Sequence, residues 1–197
     1  MDAFYASVEL LRYPQLKGLP VVIGGSATPE DQARSQAWAG RLHEIALDAF
    51  PRLSSYVGRG VITTATYAAR AFGVGSAMGL MKAARLCPQA VLLPVDFPQY
   101  RRYSRRFKEV ILSIAPVMEN RGVDEVYIDF TEVPGGQRGG GRALARLIQK
   151  SIFDATGLTC SVGVAPNKLI AKMASEFNKP NGIAVVMPED LQPRIWP

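Results

Sequence analysis

The sequence predicts an α+β fold, with helices packed on one face of a mainly antiparallel sheet, and three observations carry that reading. Short runs rich in Val and Ile are interspersed with segments whose apolar residues recur at helical spacing. The connections between them are of both hairpin and crossover length, which suits an α+β layer architecture. The chain has 197 residues, 48% of them hydrophobic, enough for one sizeable domain or two small ones sharing a core.

In order along the chain, Met1 to Leu11 places Phe4, Val8 and Leu11 at helical spacing after Asp2, a favourable N-cap residue. Pro14 ends that helix, and Pro20 to Ile23 before Gly24-Gly25 reads as a short buried strand closed by a turn. Residues 26–59 differ in character. A polar start gives way to a helical pattern through Trp38, Leu42, Ile45 and Ala49, an inserted helical excursion whose charges suit a solvated surface. Gly60 to Thr64 is strand-like, Tyr67 to Phe72 a helical turn stopped by Gly73, Met78 to Leu86 a helix and Val91 to Pro94 a strand. Tyr100 to Ile114 has an apolar helical face, with Arg101, Arg102, Arg105, Arg106 and Lys108 crowding its first turns. Val123 to Phe130 alternates as a strand. Then follow a helix over Arg142 to Ala155, a strand over Thr159 to Val164, a helix over Lys168 to Phe177 and a closing strand over Ile183 to Val186.

Composition narrows the function. A formal net charge of +6 and a pI near 9.5 suit a polyanionic partner. Cys87 and Cys160 are far apart, and His43 is the only histidine, which argues against a zinc site or a disulfide framework. No apolar run is long enough to span a bilayer, and the opening residues do not have the pattern of an export signal, so a cytoplasmic location is expected.

Three segments could carry chemistry. In Gly122 to Phe130, alternation would put Asp124 on the face of Val126, Ile128 and Phe130, and Glu125 on the other. A carboxylate on an apolar face is costly unless compensated, and a divalent cation would compensate it; a solvated acidic pair at a hairpin mouth fits the segment equally well. Thr64, Tyr67 and Arg70 are three residues apart, so a helical turn through them would present two hydroxyls and a guanidinium suited to a triphosphate, or simply a polar face. Ser161 to Lys168, then Lys172 and Asn178 to Gly182, reads as a strand, a small-residue loop and a helix offering backbone N–H groups to phosphate. Lys179 there also favours the helix dipole without any ligand.

Taken together, Met-Asp-Ala-Phe-Tyr-Ala-Ser-Val-Glu at 1–9, Thr-Ala-Thr-Tyr-Ala-Ala-Arg at 64–70, Val-Asp-Glu-Val-Tyr-Ile-Asp at 123–129, and Gly-Val-Ala-Pro-Asn-Lys with the later Asn-Lys-Pro-Asn-Gly resemble the ordered motifs of DinB-type Y-family DNA polymerases. The likeness covers nearly the whole chain except residues 26–59, which are longer than the family leads one to expect. It implies a palm from residues 1–10 and 96–186, a small fingers domain over 11–95, and the start of a thumb at 187–197. It implies that Asp124 is a metal-binding aspartate, Glu125 the neighbouring catalytic carboxylate and Met1 a backbone-carbonyl ligand, with two magnesium ions held there for phosphoryl transfer. Tyr5 matches the steric gate beneath the incoming sugar, and Phe4 a residue supporting the nucleotide. Thr64, Tyr67, Arg70 and Lys179 match the triphosphate contacts.

In the family a further metal-binding aspartate, at the end of a central strand, precedes the residue matching Met1. The sequence is therefore expected to begin inside that motif and to lack the thumb and little finger, which would leave it weak or inactive alone. The implied partners are primer-template DNA, deoxynucleoside triphosphates and, through a C-terminal region, a sliding clamp, with a monomer as the working unit. Two other readings compete: a noncatalytic DNA-binding accessory protein derived from such a polymerase, and a palm-fold nucleotide cyclase. The order of Phe4-Tyr5, Tyr67 and Arg70 ahead of the acidic pair argues against the cyclase.

Overall fold

The computed structural model describes residues 1–190 and divides the chain into two compact units. One is Ala3–Tyr100; the other is Met1–Asp2 with the chain from Arg101 onward. Of the segment expected to open a thumb, residues 191–197 lie outside the described residues, and Pro188–Asp190 forms a single 3-10 turn.

The Ala3–Tyr100 unit is built on strand β1 (Val21–Gly24), whose four residues are all buried. Helix α1 (Phe4–Arg12) precedes it and α2 (Pro29–Ala37) follows it. Next come β2 (Ile62–Ala65), the short helix α3 (Tyr67–Arg70), α4 (Leu80–Leu86) and β3 (Val91–Leu93). The sheet runs β2-β1-β3, with β1 antiparallel to β2 and parallel to β3. Leu53, Ile62, Leu80 and Ala83 fill the core beside β1.

Two expectations change here. Asp2 does not cap α1: that helix begins one residue later, and Ala3 at its cap adopts a left-handed conformation, φ 42°. The excursion over residues 26–59 places its α-helix early, at Pro29–Ala37, where Thr28 and Asp31 form a reciprocal capping box. The apolar pattern through Leu42 and Ile45 instead folds as 3-10 turns at Leu42–Glu44 and Leu47–Ala49. Two features account for it: Gly40 is left-handed at φ 80°, and the Gln15 amide, distant in sequence, donates to the carbonyls of Leu42 and Ile45, at 2.8 and 3.1 Å. A carbonyl bonded to that side chain is drawn away from a helical ladder.

The other unit continues from α5 (Phe97–Ile114), which buries Phe107 and Ile111, into a hairpin of β4 (Met118–Asn120) and β5 (Val126–Ile128). Helix α6 (Arg142–Thr156) buries Leu144, Ile148 and Ile152. Strand β6 (Val162–Val164), helix α7 (Lys168–Phe177) and β7 (Ile183–Val185) then form a parallel βαβ unit. Gly163 is what lets α7 lie on β6: a Cβ there would sit 2.0 Å from the Ala171 carbonyl oxygen and 2.5 Å from the Ser175 nitrogen. The α+β class is as expected, with two antiparallel and two parallel strand pairs among the described residues.

Candidate active site

The acidic pair lies in the turn of the β4–β5 hairpin. Arg121 N–H donates to the Glu125 carbonyl at 3.0 Å, the Asn120 side chain accepts from Gly122 N–H at 3.2 Å, and Gly122 takes a φ of 140°, open to glycine and few others. Because β5 starts only at Val126, the alternation does not reach back to Asp124, and the expected apolar-face placement of that carboxylate is corrected. Asp124 is half-buried in the turn, and the Glu125 side chain is 45% exposed.

Residues far apart in sequence converge on this turn. The amino group of Met1 donates to the Asp124 carbonyl at 2.9 Å. Lys172 on α7 donates to the Glu125 carboxylate. That hydrogen bond, then the charges of Lys172, the N-terminus and Lys179, hold the Glu125 carboxyl below the usual carboxylate range. Partial burial works against the charge of Lys172, but the hydrogen bond and charge of Glu125 outweigh it and raise the ammonium's pKa. Lys108 on α5 donates to the Gly122 carbonyl at 2.5 Å; burial lowers its pKa, and the charge of Asp124 offsets part of that. Met1, Asp124, Glu125, Lys172 and Lys179 all line one open cavity of about 1160 Å³.

Asp2, read from sequence as a helix cap, is a buried brace: its carboxylate accepts from the Ser161 hydroxyl at 2.7 Å and from Asn181 N–H at 2.9 Å. Its own N–H reaches the Thr159 carbonyl at 3.1 Å. Asp2 thus ties the first motif to the fourth. Within that fourth motif, Asn167 caps α7 by accepting from Ile170 N–H at 3.0 Å, so one donor of the helix N-terminus is already taken. Lys179 lies beyond α7 and reaches back to Glu176 at 2.7 Å. The expected partners of a phosphate at this end are therefore partly engaged with protein groups.

The Ala3–Tyr100 unit holds the remaining sequence-predicted residues. Phe4 is buried, and the half-buried ring of Tyr5 stacks on Tyr100 with centroids 4.1 Å apart and planes at 14°. Thr64 lies in β2 opposite Ile23 and is buried, so it does not share a helical turn with Tyr67 and Arg70, as the spacing had suggested. Thr66 caps α3 instead, accepting from Ala69 N–H at 3.3 Å and from Val21 N–H at 3.0 Å. Tyr67 and Arg70 do pair: the guanidinium stands 4.9 Å over the Tyr67 ring, with Nε donating to the Ala65 carbonyl at 3.1 Å.

Sequence reasoning missed one cluster in this unit. Glu9, only 2% exposed, accepts from the Tyr100 hydroxyl at 2.9 Å and from Arg12 at 3.0 Å, and Arg12 also reaches Asp96 at 2.9 Å. The one available signal was that Glu9 stands four residues after Tyr5, on the same helical face.

Hard oxygen donors such as Asp124 and Glu125 suit a magnesium-like cation. Among the described residues, no group of three or more His, Cys, Asp or Glu side chains comes together. The donors thus fit the ion in kind and fall short in number of what a paired-ion site requires.

Comparison with known proteins agrees with the motif resemblance. A model of the impB/mucB/samB family matches residues 1–176. The chain is 42% identical over 192 residues to a DNA polymerase IV of Halorhodospira halophila, covering 96% of this chain and 45% of that protein. It is 39% identical over 190 residues to a DNA polymerase IV of Lactococcus lactis subsp. cremoris, with the same two coverages. The chain therefore spans a little under half the length of these curated relatives. Among solved structures, the insertion ternary complex of Dbh DNA polymerase superposes with a TM-score of 0.78 at 31% identity, over 98% of this chain and 48% of that one. DinB from Sulfolobus solfataricus gives 0.77 at 31% identity, over the same shares. The match over most of its length, together with the convergence of the first, third and fourth motifs at the acidic turn, places this chain in the impB/mucB/samB family, beside the DinB-type Y-family polymerases.

Proposed function

We propose that this chain carries the active-site portion of a template-directed DNA polymerase of the translesion type, which adds deoxynucleotides to a primer 3′-hydroxyl. The observation that carries the reading is the meeting of Met1, Asp124, Glu125 and Lys179, residues from three separate motifs, around one cavity. In this reading residues 1–10 and 96–186 are the palm, 11–95 the fingers, and 187–197 open the thumb.

Asp124, Glu125 and the Met1 carbonyl would contribute ligands to the two magnesium ions that the family resemblance implies. When bound, these ions supply Lewis-acid activation of the 3′-hydroxyl and neutralise charge on the departing pyrophosphate. Lys172 favours the ionised form of Glu125, the form that would bind a cation. Tyr67, Arg70 and Lys179, with Thr64, bind the triphosphate; Phe4 supports the nucleotide, and the Tyr5 ring excludes a 2′-hydroxyl.

The partners are primer-template DNA, deoxynucleoside triphosphates and a sliding clamp, the working unit is a monomer, and the compartment is the cytoplasm. Among the described residues, no helix is long and apolar enough to cross a membrane.

The test is magnesium-dependent primer extension. It compares this chain, a version extended at both ends to the length of its relatives, and that version with Asp124→Ala or Glu125→Ala. Extension that either substitution abolishes supports the reading. DNA binding without extension by the extended protein would favour a noncatalytic accessory role.

A further inference from the structure

We propose that Glu9 is a positioning residue for Tyr5, acting through Tyr100, so that discrimination against ribonucleotides depends on a carboxylate that touches neither nucleotide nor metal; the consequence for selectivity rests on the polymerase reading above. Tyr5 and Glu9 are one turn apart on α1, and Tyr100 lies across that turn. Its ring stacks on Tyr5, and its hydroxyl donates to Glu9 at 2.9 Å. Phe97, one turn earlier on α5, meets both rings edge-on, with centroids 6.1 Å from each. The Tyr5 ring thus rests against a plate that is itself anchored at its far end.

That anchor is reinforced from both helices. Arg12 bridges Glu9 and Asp96 at 3.0 and 2.9 Å. Asp96 in turn accepts from Gln99 N–H at 3.2 Å, and its carbonyl takes Tyr100 N–H at 3.1 Å, fixing the first turn of α5 beneath the Tyr100 ring. A stacked pair alone can slide or tilt at little cost, since aromatic geometry is loosely directional. A hydroxyl held on a buried, charge-bridged carboxylate sets the angle of the Tyr100 plane, and through it that of Tyr5. Glu9 is 2% exposed and Tyr100 fully buried, so no water takes over the bond if one partner is lost. A ring meant to collide with one extra hydroxyl must be placed to within a fraction of an ångström, which is the kind of precision that supporting contacts provide.

The test has two arms. In the first, 13C-labelled tyrosines report the Tyr5 and Tyr100 ring resonances by NMR in this chain and in its Tyr100→Phe, Glu9→Ala and Glu9→Gln variants. Tyr100→Phe and Glu9→Ala are expected to shift and broaden the Tyr5 ring signals, whereas Glu9→Gln, which keeps an acceptor oxygen, stays near the wild type. Unchanged Tyr5 signals in both Tyr100→Phe and Glu9→Ala overturn the proposal whether or not the protein polymerises.

In the second arm, the extended protein is assayed for the ratio of kcat/KM with deoxynucleotides to that with ribonucleotides. The ratio is expected to fall about tenfold in Tyr100→Phe and Glu9→Ala, the change a lost buried hydrogen bond brings, and to be restored in Glu9→Gln. A ratio unmoved in those variants while Tyr5→Ala collapses it would refute the inference and leave the polymerase reading intact. Absence of primer extension counts against the polymerase reading alone, because the ring signals decide the positioning independently.

Discussion

Glu9 and Glu125 are two carboxylates in the same chain with opposite surroundings. Glu9 is sealed between α1 and α5, and burial pushes its pKa up, with the charge of Arg12 and the Tyr100 hydrogen bond offsetting only part of the cost. The Glu125 side chain is 45% exposed, and Lys172 holds its pKa down. Every partner of Glu9 belongs to the protein and is fixed by a helix. The principal partner of Glu125 is Lys172, whose side chain is 42% exposed. The contrast separates a carboxylate sealed among protein groups from one open to solvent, and on the polymerase reading proposed above a substitution should cost stability at the first and activity at the second.

The largest effect expected is on activity at the acidic turn. Asp124→Ala or Glu125→Ala in the extended protein should lower primer-extension kcat/KM by about a thousandfold or more, as loss of a ligand that acts in the transition state does. The urea midpoint of Glu125→Ala should stay close to the wild type, because exposed ion pairs contribute little to stability. A large stability loss in Glu125→Ala would break the comparison.

Glu9→Ala should do the reverse. It strips Tyr100 and Arg12 of a buried acceptor, and about 2–4 kcal/mol of unfolding free energy should disappear in urea denaturation. A change below about 0.5 kcal/mol would show that the buried carboxylate contributes no more than a surface one. Gly163→Ala offers a scale for both. A Cβ placed 2.0 Å from the Ala171 carbonyl forces α7 away from β6, and the same titration should show a loss of about 1–3 kcal/mol.

The two carboxylates also differed in how legible they were. Asp124 and Glu125 stand out in sequence because two adjacent acids precede the strand-like run Val126-Tyr127-Ile128, and the hairpin that presents them is local. Helices α5, α6 and α7 were readable for the same reason, since their apolar faces repeat within a single segment. Glu9 has no such signal: its partner Tyr100 is 91 residues away, and only tertiary packing brings the two together. The 3-10 turns at Leu42 and Leu47 were hidden similarly, because their apolar spacing matches a helix and only the Gln15 amide, 27 residues from Leu42, shows that the carbonyls point elsewhere. Asp2 looked like a cap in sequence and proved a brace because Ser161 and Asn181 reach it from the other end of the chain. Local periodicity therefore revealed the elements and the acidic turn, and long-range polar contacts set what the first motif does.

The smallest effect expected is in pH dependence, and its sign follows from burial. Because the folded-state pKa of Glu9 is raised above its ordinary 4.5, the folded protein binds a proton at this site that the unfolded chain has already released. Stability from Glu9 is therefore fully present below the ordinary value and declines as pH rises toward the folded one. Arg12, Asp96 and Tyr100 are the charged and titratable groups facing it, and of these Asp96 adds to the rise while Arg12 and Tyr100 counter it. In Glu9→Gln the side chain is neutral in both states and the decline vanishes, so the Tm of the variant should gain on the wild type as pH rises above the ordinary value of 4.5. Glu125→Gln should show no such gain, since a carboxyl with a depressed pKa loses its contribution only as pH falls below the ordinary range. If the two glutamines trace the same curve, the surroundings of the two acids differ less in energy than in geometry, and Arg12 neutralises Glu9 as fully as Lys172 does Glu125.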